Sequence, residues 1–101
     1  MKAVRPGEDI WEKVYKKSAD VVSRKIAGEL FLVPIRGNLA DMQHIFTLNP
    51  VAEYIWLELG EKRLCEIRDG VMADFEVVKE QAETDIRDFI AELLEEDLIK
   101  E

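Results

Sequence analysis

The chain has 101 residues, with 14 Lys and Arg against 22 Asp and Glu, so its formal net charge is −8. A chain of this size buries roughly 60 to 65% of its unfolded surface, which supports one core and excludes a large enzyme with a catalytic domain beside a substrate domain. The acidity argues against the phosphate contacts that dominate nucleic-acid affinity, and a 48% hydrophobic content argues against intrinsic disorder.

The acid is unevenly placed. Residues 1–26 hold seven basic and four acidic side chains, residues 27–60 one and four, and residues 61–101 six and fourteen. Cys65 is the sole cysteine, so no intramolecular disulfide forms. MKAVRPGEDIW lacks the apolar stretch of a secretory signal, which makes the cytoplasm the expected compartment. No apolar run approaches the roughly 20 residues that span a bilayer.

Residues 1–19 read as an N-terminal arm or short helix, because Ile10, Trp11, Val14 and Tyr15 fit helical spacing behind Pro6-Gly7 but also fit an extended arm. Residues 20–101 read as the main domain. DVVSRKI (20–26) and ELFLVPI (29–35) are β-rich, and Ala27-Gly28 between them suits a two-residue hairpin turn. IRGNLADMQ (35–43) reads as a loop with Gly37-Asn38 as its turn signal, and HIFTL (44–48) as a third strand. Leu48-Asn49-Pro50 is the clearest punctuation: Asn caps a helix and Pro is favoured at its first position. The helix that starts there runs from Pro50 to about Leu59, is apolar on most of its circumference, and stops at Gly60. A second helix starts near Leu64, with Leu64, Ile67, Val71 and Phe75 on one face and Gly70 as an interior weak point worth about 1 kcal/mol relative to Ala. A third spans about Val78 to Glu96 with Ala82, Ile86, Phe89 and Leu93 as its stripe, and Leu98-Ile99 form an apolar tail. Three strands followed by three helices give an α+β domain, a three-stranded antiparallel sheet with a three-helix bundle, compatible with a winged helix-turn-helix.

Catalytic constellations are scarce. His44 is the single histidine and has no companion ligands for a metal. Cys65 has no CxxC partner and no identifiable base. No phosphate-cradling Gly-rich loop is present, and the carboxylates of the third helix, such as Glu92, Glu95 and Glu96, are explained by a solvated face. No enzyme activity, cofactor or metal is expected. The informative surface is the third helix beside the third strand. Glu83, Arg87, Ile90 and Leu94 flank the main stripe, so they either cover neighbouring helices or edge a groove. A groove beside an exposed strand edge suits β-augmentation, in which an extended peptide joins a sheet through main-chain bonds.

The stretch from Val21 to Ile99 resembles the pyrroloquinoline quinone biosynthesis protein D family. The likeness is carried by the ordered set Leu48-Asn49, Ile55-Trp56, Phe75, Asp85, Phe89, Leu93 and Leu98-Ile99, over about four fifths of the chain. Residues 1–19 fall outside it, and the loop 36–43 looks longer than in many members. The resemblance implies a non-catalytic RiPP recognition element, a domain that captures the N-terminal leader of a ribosomally made precursor peptide and presents it to a radical SAM enzyme, as in pyrroloquinoline quinone biosynthesis. Carried over by position, the leader would lie along His44, Ile45, Phe46, Thr47 and Leu48, against Glu83, Ile86, Arg87, Ile90 and Leu94. Two other readings stand beside it: a winged-helix DNA-binding regulator, and an accessory subunit that contacts an enzyme without binding peptide. An exposed third-strand edge would also permit a homodimer. Neither nucleic acid nor membrane is an expected partner, and the acidic third helix predicts basic residues on whatever meets it.

Overall fold

The computed structural model describes residues 9–101, so the Pro6-Gly7 signal lies outside the described residues. The elements in chain order are β1 (Lys16–Lys17), β2 (Val21–Ile26), β3 (Glu29–Arg36), β4 (Leu39–Ala40), β5 (Phe46–Leu48), α1 (Pro50–Glu58), α2 (Leu64–Phe75), α3 (Lys79–Glu95) and β6 (Ile99–Lys100). The class is α+β, but the described residues form a four-stranded and a two-stranded sheet in place of the single three-stranded sheet expected.

Turn chemistry and the chain ends account for the difference. Ala27 and Gly28 take φ of 52° and 86°, the geometry that joins two twisted strands directly, and the β2–β3 hairpin runs from Ile26 opposite Glu29 to Val21 opposite Pro34. Gly37 and Asn38 also both take positive φ, 56° and 73°, so the expected loop folds into a second tight hairpin that sets β4 against the end of β3. β5 then pairs with the start of β3, Leu48 opposite Leu30 and Phe46 opposite Leu32. Pro34 sits fully buried opposite the first residue of β2, where a missing ladder bond is tolerated. The other sheet is made by β1 and β6, with Lys17 opposite Ile99, so the apolar tail becomes a strand.

The third strand is shorter than its β-prone sequence suggests. His44 and Ile45 precede it, because His44 is held in a turn: its N–H donates to the Asp41 carbonyl at 3.3 Å and its Nδ1 lies 2.7 Å from Asp41 Oδ2. Burial pushes the Asp41 carboxyl up, but bonds from His44, the Gln43 N–H and Arg36 outweigh it and hold the group below the usual carboxylate range. Arg36 extends this cluster to the end of α3, where its guanidinium donates to the Glu96 carbonyl at 3.2 Å. An orphan carbonyl of a helix C-terminus is thereby satisfied by a cation.

Asn49 caps α1 as its sequence predicts: Oδ1 accepts the Ala52 N–H at 2.8 Å, and Pro50 opens the helix. Replacing Asn49 by Ala should cost about 1 kcal/mol, seen as a lower urea midpoint at unchanged slope. α1 is not buried all round. Ile55, Trp56 and Leu59 are in the core, whereas Leu57 is 59% exposed.

Residues 9–18 are an arm with no helix. Ile10 and Tyr15 are fully buried, and the arm also completes α2. Arg63, the residue before that helix, carries no side-chain oxygen to cap it. The Trp11 carbonyl accepts the Cys65 N–H at 2.8 Å and the Lys13 carbonyl accepts the Leu64 N–H at 3.0 Å, which satisfies two of the four N–H donors that a helix start leaves open. The core runs from the arm through Leu30, Leu32 and Leu48 of the sheet to the buried faces of all three helices. No helix among the described residues is long and apolar enough to cross a membrane.

Candidate functional site

β5 has one strand neighbour. It pairs with β3, and among the described residues no strand covers its other edge. Such an edge is a template for a further strand. A groove beside it is lined by Phe46, Thr47 and Leu48 of β5, by Asn49, Val51, Ala52 and Ile55 at the start of α1, and by Asp85, Asp88, Phe89 and Glu92 of α3. The Asn49-Pro50 step creates this arrangement, because it starts α1 directly after β5 and brings Val51 and Ala52 to the foot of the strand. Leu48, Ile55 and Phe89 belong to the core, and Phe46, Val51 and Ala52 are half-buried against it, so the floor is apolar. Asp88 and Glu92 are exposed and Asp85 half-buried, which gives the α3 wall a carboxylate rim.

The site residues expected from the sequence divide into two groups. Phe46, Thr47 and Leu48 form the edge strand, with His44 and Ile45 leading into it. Glu83, Ile86, Arg87, Ile90 and Leu94 do not line the groove. At 3.6 residues per turn, Asp85, Asp88 and Glu92 lie on one side of the Ala82, Ile86, Phe89 and Leu93 stripe, and Glu83, Arg87, Ile90 and Leu94 on the other. Ile86 and Ile90 are fully buried. Glu83 accepts from Arg68 of α2 at 2.9 Å, and Arg87 lies over the Trp11 ring of the arm at 5.4 Å, with Arg68 also 5.4 Å from that ring. That flank is a seam between α2, α3 and the arm. Desolvation works against the Arg68 charge, but its bonds to Glu83 and Asp69 outweigh that and keep its pKa above the ordinary arginine value.

Sequence reasoning placed Asp85 in the family likeness without a site role, read Glu92 as part of a solvated face and did not single out Asp88, because acidic residues at helical spacing look like a wet surface. The available signal was positional: with Phe89 they occupy the flank that the stripe leaves toward β5. Cys65 is half-buried, with its Sγ 3.8 Å from a Glu12 carboxylate oxygen. Among the described residues, no cluster of three or more His, Cys, Asp or Glu side chains could hold a metal.

Residues 29–99 match the family described as Coenzyme PQQ synthesis protein D, PqqD. The chain belongs to this family. The matched segment begins at β3 and ends in β6, so both walls of the groove lie inside the PqqD region, whereas the arm and β2 precede it. A solved structure described as "TbiB1 in Complex with the TbiA(beta) Leader Peptide" is similar at 34% identity, with a TM-score of 0.69 over 83% of this chain and 93% of that one. No curated protein matches the chain.

Proposed function

We propose that this PqqD-family chain is a RiPP recognition element, a non-catalytic domain that holds the leader of a ribosomally made precursor peptide as an extra strand on β5, against α3. The observation that carries the proposal is the open β5 edge running beside an apolar groove walled by α3. Main-chain bonds to an edge supply sequence-tolerant affinity, and an adjoining apolar floor selects alternate side chains. Family membership and the likeness to a chain solved with a leader peptide support the same reading. We further read the β2–β3 hairpin as the wing of a winged helix-turn-helix, the compartment as cytoplasmic, and the recipient of the held peptide as a radical SAM enzyme. The proposed peptide contacts are Phe46, Thr47 and Leu48 with Ala52, Asp85, Asp88, Phe89 and Glu92. The DNA-binding alternative fares worse: Arg68, the lone cation of the α2 segment, has a side chain only 17% exposed and is bonded to Glu83 and Asp69.

Titrating isotopically labelled protein with the leader of its own precursor should shift amide signals of residues 46–48 and 85–92. Shifts confined to other segments would sink the proposal. Ala52→Trp fills the groove from its floor and should weaken leader binding by about a hundredfold, the scale of a blocked central pocket, while the amide spectrum away from the groove stays dispersed.

A further inference from the structure

The groove beside α3 continues past the end of β5. A second depression is bordered by the hairpin residues Gly28 and Glu29, by Pro50 and Glu53 of α1, and by the same Thr47, Leu48 and Asn49 that border the first. The two adjoin through these three residues, and together they make a track from α3, past the end of β5, to the β2–β3 turn. A track of this shape fits an extended segment, in which alternate side chains fall on one side about 6.6 Å apart.

Every charged residue on this track is a carboxylate: Asp85, Asp88 and Glu92 at one end, Glu29 and Glu53 at the other. Glu53 is compensated by Lys25 at 2.7 Å, and Asp85 accepts from the uncharged Gln81 amide at 2.7 Å. Asp88, Glu92 and Glu29 have no ion-pair partner among the described residues. Some acidic residues elsewhere on the surface are matched within the chain, as Glu12 is by Arg63 at 2.6 Å, Glu58 by Lys62 at 2.9 Å and Glu83 by Arg68 at 2.9 Å. Among the described residues, carboxylates without an ion pair also occur away from the track, Glu61 and Asp74 among them, but only here do they border an open strand edge and an apolar floor with no lining cation beside them.

We infer that the occupant of this track is a cationic extended peptide, one that places Lys or Arg beside Asp88 and Glu92 and a further basic residue toward Glu29, with apolar side chains between them on the floor. The inference rests on the peptide-binding reading above and adds the chemistry of the peptide. Charge complementarity decides among possible partners: an acidic segment would bring like charges together at both ends of the track, whereas a basic one completes partners that the chain itself leaves open.

The test is selection of random peptides of about twelve residues on the immobilised full chain. Enriched peptides should carry more Lys and Arg than the starting library, and a synthesised representative should lose about tenfold in affinity as salt rises from about 50 to about 500 mM. The double variant Asp88→Lys, Glu92→Lys should weaken the same peptide by about tenfold or more, while Glu61→Lys, Asp74→Lys, an equal change of net charge away from the track, keeps it within about twofold. Neutral or acidic enriched peptides that Ala52→Trp still abolishes, or an unaltered affinity in the Asp88 and Glu92 double variant, would overturn the inference and leave groove binding standing. Failure to enrich any peptide, or enrichment insensitive to Ala52→Trp, would overturn both.

Discussion

Tyr15→Ala is expected to lower the unfolding free energy by about 3 to 5 kcal/mol, the range for emptying a large aromatic site within a core. That corresponds to a fall in Tm on the order of 15 °C for a domain of this size. The ring is only 1% exposed, although it belongs to an arm that precedes the family-matched segment. Removing the whole arm should do more. A chain that begins at Asp20 loses Ile10 and Tyr15 from the core, and it uncovers the Leu64 and Cys65 N–H groups that the Lys13 and Trp11 carbonyls accept. Each of these bonds exchanged for one to water costs about 0.5 to 1.5 kcal/mol, which adds to the lost burial of Ile10 and Tyr15, and a small domain has only about 5 to 15 kcal/mol of stability to lose. The expected product binds the dye ANS and lacks near-ultraviolet circular dichroism. A shortened chain that unfolds at the same urea midpoint as the full one would show that residues 20–101 fold alone.

Gly70→Ala is expected to destabilise, against the helix scale. Propensity alone predicts a gain of about 1 kcal/mol for Ala inside α2. A Cβ at this position, however, would meet the Tyr54 phenol oxygen head on and stand 2.9 Å from its Cζ, closer than such atoms approach. A retreat of the Tyr54 ring disturbs its edge-on packing against Phe75, with centroids 5.9 Å apart. Overpacking of this kind costs about 1 to 3 kcal/mol, so the propensity gain is offset or exceeded. The double variant Gly70→Ala, Tyr54→Ser is the check. Against a Tyr54→Ser background the glycine substitution should become stabilising, and a loss of equal size in both backgrounds would refute the contact argument.

Gly70 also marks the kind of information that a single sequence withholds. Its place in the helix was legible from the Leu64, Ile67, Val71 stripe, but its reason lies on another helix. Signals that act over a few residues carried through: Asn49-Pro50 capped α1, Ala27-Gly28 turned the first hairpin, and the Ala82 to Leu93 stripe faced the core. The misses were set by distant partners. β1 and β6 are two residues each and exist because they meet one another. The spacing of Ile10, Trp11, Val14 and Tyr15 satisfied a helix and an arm equally, and the open N-terminus of α2 decided for the arm. On α3 the stripe faces the core, and the flank of Glu83, Arg87, Ile90 and Leu94, which the sequence left open between covering neighbouring helices and edging a groove, does not line the groove beside β5. Apolar character alone left Ile90 and Leu94 open between packing and groove, and Ile90 is fully buried, whereas Asp85, Asp88 and Glu92, which border the groove with Phe89, are indistinguishable in isolation from an ordinary wet surface. Apolar patterning finds what a chain buries within itself and is blind to a surface completed by another molecule.

The pairing of Lys17 with Ile99 joins positions about eighty residues apart. Closing so long a loop carries an entropic cost that local hairpins and helices escape, and non-local contacts of this type slow folding. On the ribosome the order is stricter still. The β2–β3 hairpin and α1 can form as they emerge, but β1 waits for Ile99 and Lys100 before it can pair. The walls of the groove, β5, α1 and α3, all precede β6, so a nascent chain that has not yet exposed residues 99–100 carries the groove without the clasp that ties the arm to the domain.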